Sequence, residues 1–182
     1  MTDDAEADVL ADSGTASAPQ PTAAPPYRIP TLTAVVVPLI IIVDQLTKRW
    51  AVSTLSGRPP RHVIWTLQWN LTRNSGMAFS KGQGVGPVIG VVALLIVLWL
   101  AWSSRKLTGR LSAIAAGLIA GGAIGNLLDR LFRGGRFLRG SVIDFIDFQW
   151  FPIFNVADMA IDIGGGLFLL WVLLTRRKVQ AG

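Results

Sequence analysis

Residues 111–130 read LSAIAAGLIAGGAIGNLLDR. From Leu111 to Leu128 the run carries no charge, and it approaches the roughly 20 apolar residues that cross a bilayer core. Backbone polar groups in lipid have to be satisfied within their own segment, so the run reads as a helix. Gly117, Gly121 and Gly125 recur at i, i+4 and i+8, a face that lets a second membrane helix come close. The run then ends in Asn126, Asp129 and Arg130, which share one face at i, i+3 and i+4. A polar face at the end of a membrane helix turns away from lipid. A plainer reading of Asp129 is an i, i+4 pair with Arg133 that closes the helix.

Three more apolar runs surround this one, at about Thr31–Ala51, Val85–Trp102 and Val156–Thr175. Ala157, Ala160 and Gly164 give the last of them a small-residue face of its own. Four crossings predict an all-α membrane protein with both termini on one side of the bilayer. The whole 182-residue chain is 51% hydrophobic with a mean hydropathy of +0.49, too apolar for an ordinary soluble domain. Residues 1–30 form a separate region, with Asp3, Asp4, Glu6, Asp8 and Asp12 and no apolar run. They read as a disordered acidic tail rather than a secretory signal. The membrane domain is placed at 31–178 and a short C-terminal end at 179–182.

Elimination narrows the chemistry. The chain has no cysteine and a single histidine, His62. Thiol catalysis, disulfides and a two-histidine zinc motif are therefore excluded, and no metal or organic cofactor is called for. His62 lies in the polar, proline-containing stretch after the first run and reads as a solvated loop residue. The net charge of +6 is carried by Lys and Arg at the ends of apolar runs, where phospholipid headgroups, not nucleic acid, are the fitting partner. Orientation is ambiguous on charge alone. Ser104-Arg105-Lys106 and Thr175-Arg176-Arg177-Lys178 are compact terminators of the cytoplasmic kind, yet Arg130, Arg133, Arg136 and Arg139 load the other side.

Two aspartates stand out, Asp144 in Ser141–Phe145 and Asp158 in Phe154–Asp158. Both are read as lying at membrane-embedded helix ends, where a carboxylate is costly and points to function. A pair of carboxylates sharing one proton is the working state of an aspartic protease. Asn155 offers a competing structural explanation: it is placed to cap the last helix, with Asp158 in the first turn. Asp44 and Lys48 stand at i, i+4 near the end of the first helix and read as a pair neutralised near the headgroups. Asn74 and Gly76 follow a stretch, His62 to Arg73, whose alternation predicts one half-buried strand. Val63, Trp65, Leu67, Trp69 and Leu71 make its apolar side. Phe145, Phe148, Trp150, Phe151 and Phe154 form a second aromatic group, and Asp147 among them is placed near the headgroups.

Taken in order, these blocks resemble the lipoprotein signal peptidase (signal peptidase II) family of bacterial membrane aspartic proteases. The blocks are Asp44-Gln-x-x-Lys48, Asn74-x-Gly76-x-Ala78-Phe79, Gly122-x-x-Gly125-Asn126-x-x-Asp129-Arg130, Val142-Ile143-Asp144-Phe145 and Phe154-Asn155-x-Ala157-Asp158. The resemblance covers about residues 32–178. It implies a catalytic dyad of Asp144 and Asp158. Supporting or substrate-positioning roles fall to Asp44, Lys48, Asn74, Gly76, Asn126, Asp129, Arg130 and Asn155. It further implies cytoplasmic termini, a site near the outer face, and a small extracytoplasmic β-strand cradle with an interfacial lid-like loop. The implied substrate is a diacylglyceryl-modified prolipoprotein, cut just before its lipidated cysteine, and the enzyme is expected to act as a monomer. The chain departs from the family pattern in its acidic tail, in Met77 and Met159, and in Asp162, an extra acid one turn after Asp158. The rival readings are a small transporter or proton-relay protein and a structural membrane scaffold. Polar residues gathered at one end of three helices favour an interfacial site over a relay through the bilayer.

Overall fold

A computed structural model of the chain describes residues 29–75, 109–134 and 138–180, together with positions 88, 91–92, 94–96 and 98–99. The elements in order are α1 (Ile29–Leu55), β1 (Arg61–Ile64), β2 (Leu67–Asn74), α2 (Arg110–Phe132), β3 (Val142–Asp147) and α3 (Val156–Gln180). Three described helices are long and apolar enough to cross a membrane, at Thr31–Leu55, Arg110–Phe132 and Val156–Arg177. They correspond to the first, third and fourth apolar runs. Most of the second run lies outside the described residues, and its described positions are helical. The acidic tail and Gly76 also lie outside them.

The helices are packed inside out relative to a soluble bundle. Large apolar side chains such as Val35, Leu39, Ile42, Leu46, Ile163, Leu169 and Leu173 are exposed. The buried positions are small or polar: Ala113, Ala116, Ala157 and Ala160 beside Asp44, Lys48, Asp129 and Asn155. Lipid tails are as apolar as leucine, so such helices associate through close packing and internal polar contacts. α2 is the central element, packed on both α1 and α3. Its glycine face meets α1: a Cβ at Gly121 would stand 2.8 Å from the Ile40 Cβ, and one at Gly125 2.6 Å from Asp44 Oδ2. On α3, Gly164 meets α2 in the same way, with a Cβ 2.9 Å from the Ala115 carbonyl oxygen. The expected small-residue faces are therefore the contact faces.

The strands form one antiparallel sheet in the order β1-β2-β3. The segment from His62 to Arg73 is not one strand. It is a hairpin that turns at Trp65 and Thr66, with Trp65 at φ 50°. Trp65 thereby leaves the alternation and is 89% exposed. His62 is exposed on β1 rather than in a loop, and its Nε2 lies 2.7 Å from the Trp65 carbonyl oxygen, across the turn. β3 pairs with β2 in the register Thr72↔Asp144 and Gln68↔Asp147. Asp144 accordingly sits on a strand, not at a helix end. Val142, Ile143, Phe145 and Ile146 are β-branched or aromatic residues that suit a pleated, buried ribbon.

The sheet rests on the C-terminal end of α1. Ala51 and Leu55 pack with Ile143 and Phe145, flanked by Trp69 and Leu71. Trp50 meets Trp69 and Phe145 edge-on at ring separations of 5.5 and 5.9 Å. The second aromatic group, Phe148, Trp150, Phe151 and Phe154, stacks on itself at 5.7–5.9 Å. Gln149 Nε2 donates to the Thr66 carbonyl at 3.1 Å, tying this loop to the hairpin turn. Asp147 is buried. It accepts hydrogen bonds from Gln68, Asn70 and the Gln149 N–H at 2.7, 2.9 and 2.6 Å. Burial pushes its carboxyl up, but these donors outweigh burial and hold it below the ordinary carboxylate value.

Candidate active site

The polar ends of α1 and α2 meet the start of α3 and the strand β3 beneath the sheet. Asn155 stands at the centre. As the residue before α3, its Oδ1 accepts the Asp158 N–H at 3.1 Å, and its own N–H donates to Asp158 Oδ2 at 3.1 Å. That is a reciprocal capping box at the helix N-terminus. Because the backbone N–H fixes the amide's oxygen end, the Asn155 amide nitrogen is left to donate elsewhere. It reaches Asp144 Oδ1 at 2.6 Å and Asn126 Oδ1 at 3.3 Å. One side chain thus bonds to both Asp144 and Asp158, and capping and site-building are the same contact set.

Asp144 is 2% exposed. Its second oxygen accepts from Asn74 Nδ2 at 3.0 Å across the β2–β3 ladder. Burial raises its carboxyl to about 6; the Asn74 and Asn155 donors pull down and the nearby Asp158 charge pushes further up. Asp158 is only half-buried and faces a cavity of about 240 Å³ between α2, α3 and Ile96. Asn126 and Arg130 share the polar edge of that cavity; Ile119, Ala123, Leu127 and Ile161 make its apolar wall. Arg130 is 6% exposed, and its Nη1 is buried with no hydrogen-bond partner among the described residues. A buried guanidinium nitrogen without an acceptor is costly.

A second polar layer lies behind. Lys48 is fully buried and forms ion pairs with Asp44 and Asp129, both at 2.9 Å. The i, i+4 pair read from sequence does form, buried inside the bundle. The Asp129–Arg133 pair forms too, at 2.6 Å. These buried acids also grip backbone. Asp44 Oδ1 accepts the Ala157 N–H at 3.0 Å, one residue before Asp158. Asp129 Oδ2 accepts the Ile143 N–H at 3.2 Å, one residue before Asp144. Sequence reasoning did not single out Gln45, whose amide donates to Asp44 Oδ2, the Gly125 carbonyl and Asp129 Oδ1 at 3.1–3.3 Å. Its position directly after Asp44, in an otherwise apolar run, was the available signal.

Of the expected site residues, the structure gathers Asp44, Lys48, Asn74, Asn126, Asp129, Arg130, Asp144, Asn155 and Asp158. Asp162 is exposed on α3 and outside the cluster.

Residues 36–174 match the family model described as "Signal peptidase (SPase) II". The chain belongs to the signal peptidase II family. The lipoprotein signal peptidase of Mycobacterium tuberculosis is 41% identical over 148 residues, covering 81% of this chain and 72% of the relative. That of Syntrophomonas wolfei is 39% identical over 144 residues, covering 78% and 93%. Among solved structures, a bacterial membrane enzyme at 1.9 Å resolution aligns with a TM-score of 0.69 and 29% identity, over 81% of this chain and 96% of that one. Membership in the signal peptidase II family makes the chain a membrane protease.

Proposed function

We propose that this chain is an aspartic endopeptidase of the bacterial cytoplasmic membrane. It removes the signal peptide from diacylglyceryl-modified prolipoproteins by cutting just before the lipidated cysteine. The observation that carries the aspartic mechanism is the double attachment of Asn155 to Asp144 and Asp158. Two carboxyls with a single proton between them are the working state of this chemistry. The ionised carboxylate takes a proton from a water as the water oxygen attacks the scissile carbonyl carbon. The protonated carboxyl donates to the carbonyl oxygen. The tetrahedral intermediate then collapses, the C–N bond breaks and the amine leaves with a proton. No covalent enzyme intermediate forms.

The surroundings supply what this chemistry needs. The unpartnered Arg130 Nη1 at the cavity edge is a ready donor for a peptide carbonyl. The apolar wall of Ile119, Leu127 and Ile161 suits an acyl chain or an apolar signal helix. Asp144 is almost closed off, so the entering peptide has to part its neighbours. The exposed Trp65 and Trp150 suit a sheet and loop lying at the membrane–water interface. In this reading both termini are cytoplasmic, four helices cross the bilayer, the site lies near the outer face, and the protein works as a monomer among phospholipids.

The substrate is tested by incubating purified protein with a prolipoprotein before and after diacylglyceryl transfer. Mass spectrometry of the product is expected to place the cut immediately before the lipidated cysteine, and only in the modified substrate. Cleavage of the unmodified form at equal rate, or at another bond, overturns the assignment.

A further inference from the structure

Lys48 is buried with the two acids it neutralises, and its third contact leads to the site. Its Nζ donates to Asn126 Oδ1 at 2.9 Å. An ammonium has three donors and no acceptor, so only the oxygen end of the Asn126 amide can face it. Asn155 Nδ2, fixed as a donor by its own cap contact, meets the same oxygen at 3.3 Å. The Asn126 NH2 group is thereby turned to Asp158 Oδ1, at 2.7 Å. The other Asp158 oxygen accepts the Asn155 N–H. Both Asp158 oxygens thus receive donors from groups that cannot reverse their polarity.

We infer that Lys48 is a positioning residue for the reaction: it locks the Asn126 amide so that its NH2 end donates to Asp158, holding Asp158 at the cavity as the base of the pair, with Asp144 as the acid. The inference rests on the proposed dyad and goes beyond it by dividing the roles. An ionised carboxylate is acceptor-only, whereas a protonated one needs an acceptor for its own O–H. Asp144 accepts on both oxygens as well, from Asn155 and Asn74, so exposure divides the pair: Asp158 is half-buried and faces the cavity, where a water can reach it. Asp144, nearly sealed from solvent, sits where the neutral form is favoured.

The test separates orientation from charge balance. Lys48→Met alone strands buried Asp44, and removing one partner of a buried pair costs about 3–5 kcal/mol. Lys48→Met/Asp44→Asn removes both members of that pair, and Asp129 keeps Arg133. The double variant is expected to keep its melting temperature in detergent and its KM within about threefold, while kcat falls about 100-fold, the scale of acid–base catalysis. Lys48→Gln/Asp44→Asn returns a donor to the Asn126 oxygen without the charge, and is expected to recover kcat at least about tenfold over the Met double. A Met double at parental kcat shows that Lys48 merely neutralises charge and overturns the proposal. If both doubles fail to fold, Asn126→Asp decides: it keeps every Lys48 contact and turns the group facing Asp158 into an acceptor. Folded protein with parental kcat again overturns the proposal. Asp144→Asn runs in parallel. If it is inactive, a failure of the Lys48 arms concerns Lys48 alone; if it is active, the dyad itself is wrong.

Discussion

At the residue scale, Asp144 combines burial with a raised carboxyl, at about 6. The sign of its pH effect follows. Its folded value lies above the ordinary 3.8, so the folded chain holds this proton more tightly than the unfolded one. The associated stability is complete below about pH 4 and is lost as pH rises through about 6. Asp144→Asn, which mimics the protonated form, is expected to be more stable than the parent above pH 7 by on the order of 2 kcal/mol. The difference should vanish near pH 4. Melting curves of both proteins in detergent at the two pH values check this; a constant difference contradicts it. The same proton is the one the acid member donates. kcat/KM is therefore expected to fall as pH rises past about 6, and a flat profile from pH 5 to pH 8 contradicts that.

Asn155→Ala removes two things at once. The helix cap costs about 1 kcal/mol, while the amide's bond to Asp144 goes with it; the backbone N–H bond to Asp158 Oδ2 stays. Activity is expected to drop far more than stability. A variant whose activity loss tracks only its fraction unfolded would show that Asn155 is a cap and nothing else. The sequence placed Asn155 correctly as the helix cap, because an asparagine three residues before an aspartate at a helix start is readable locally; its supporting role came only from the family resemblance. What it could not show is that the two roles use one amide. That depends on β3 lying beside the helix start, a long-range pairing with no local signature.

At the element scale, α2 is set by its small residues. Gly121→Ala would drive a methyl to within 2.8 Å of Ile40 Cβ, and Gly165, one turn below Asp162 on α3, has open space around it. Overpacking costs about 1–3 kcal/mol, so Gly121→Ala is expected to lower the melting temperature. Gly165→Ala is expected to hold or raise it, since Ala gains about 1 kcal/mol over Gly in a helix. Equal effects at both positions would refute the packing scheme. These helices were legible because eighteen or more apolar residues with glycine at fourth positions leave few alternatives. The hairpin was less so. Trp65 continues the apolar alternation, and only its left-handed backbone and the register of β1 on β2 reveal the turn. β3 escaped notice for a related reason: Val142–Asp147 is too short and too polar to compete with membrane runs until β2 lies alongside.

At the scale of the whole molecule, the polar residues of three helices and one strand converge at one end, while apolar side chains cover the outside. Buried ion pairs are weak sources of net stability. Here they do something else: Asp44 and Asp129 hold the backbone next to Asp158 and Asp144, respectively. The chain lacks cysteine, so single introduced cysteines report orientation cleanly. Ser56→Cys, in the exposed turn after α1, is expected to react with an impermeant maleimide in intact spheroplasts. Arg177→Cys, at the far end of α3, is expected to react only after permeabilisation. The reverse pattern would place the site on the cytoplasmic side. Charge alone left orientation open, because Arg130, Arg133, Arg136 and Arg139 load the site's side of the membrane. Arg130 is buried at the site and Arg133 is paired with Asp129, so neither is an ordinary loop signal.

The central claim is that Asp144 and Asp158 together cut the peptide bond. It is tested most directly with purified Asp144→Asn and Asp158→Asn, each confirmed folded by its melting curve, acting on a lipid-modified prolipoprotein. The account predicts that each variant loses cleavage by about 10⁴-fold or more, to the background left by binding alone. Parental cleavage by either folded variant would contradict it.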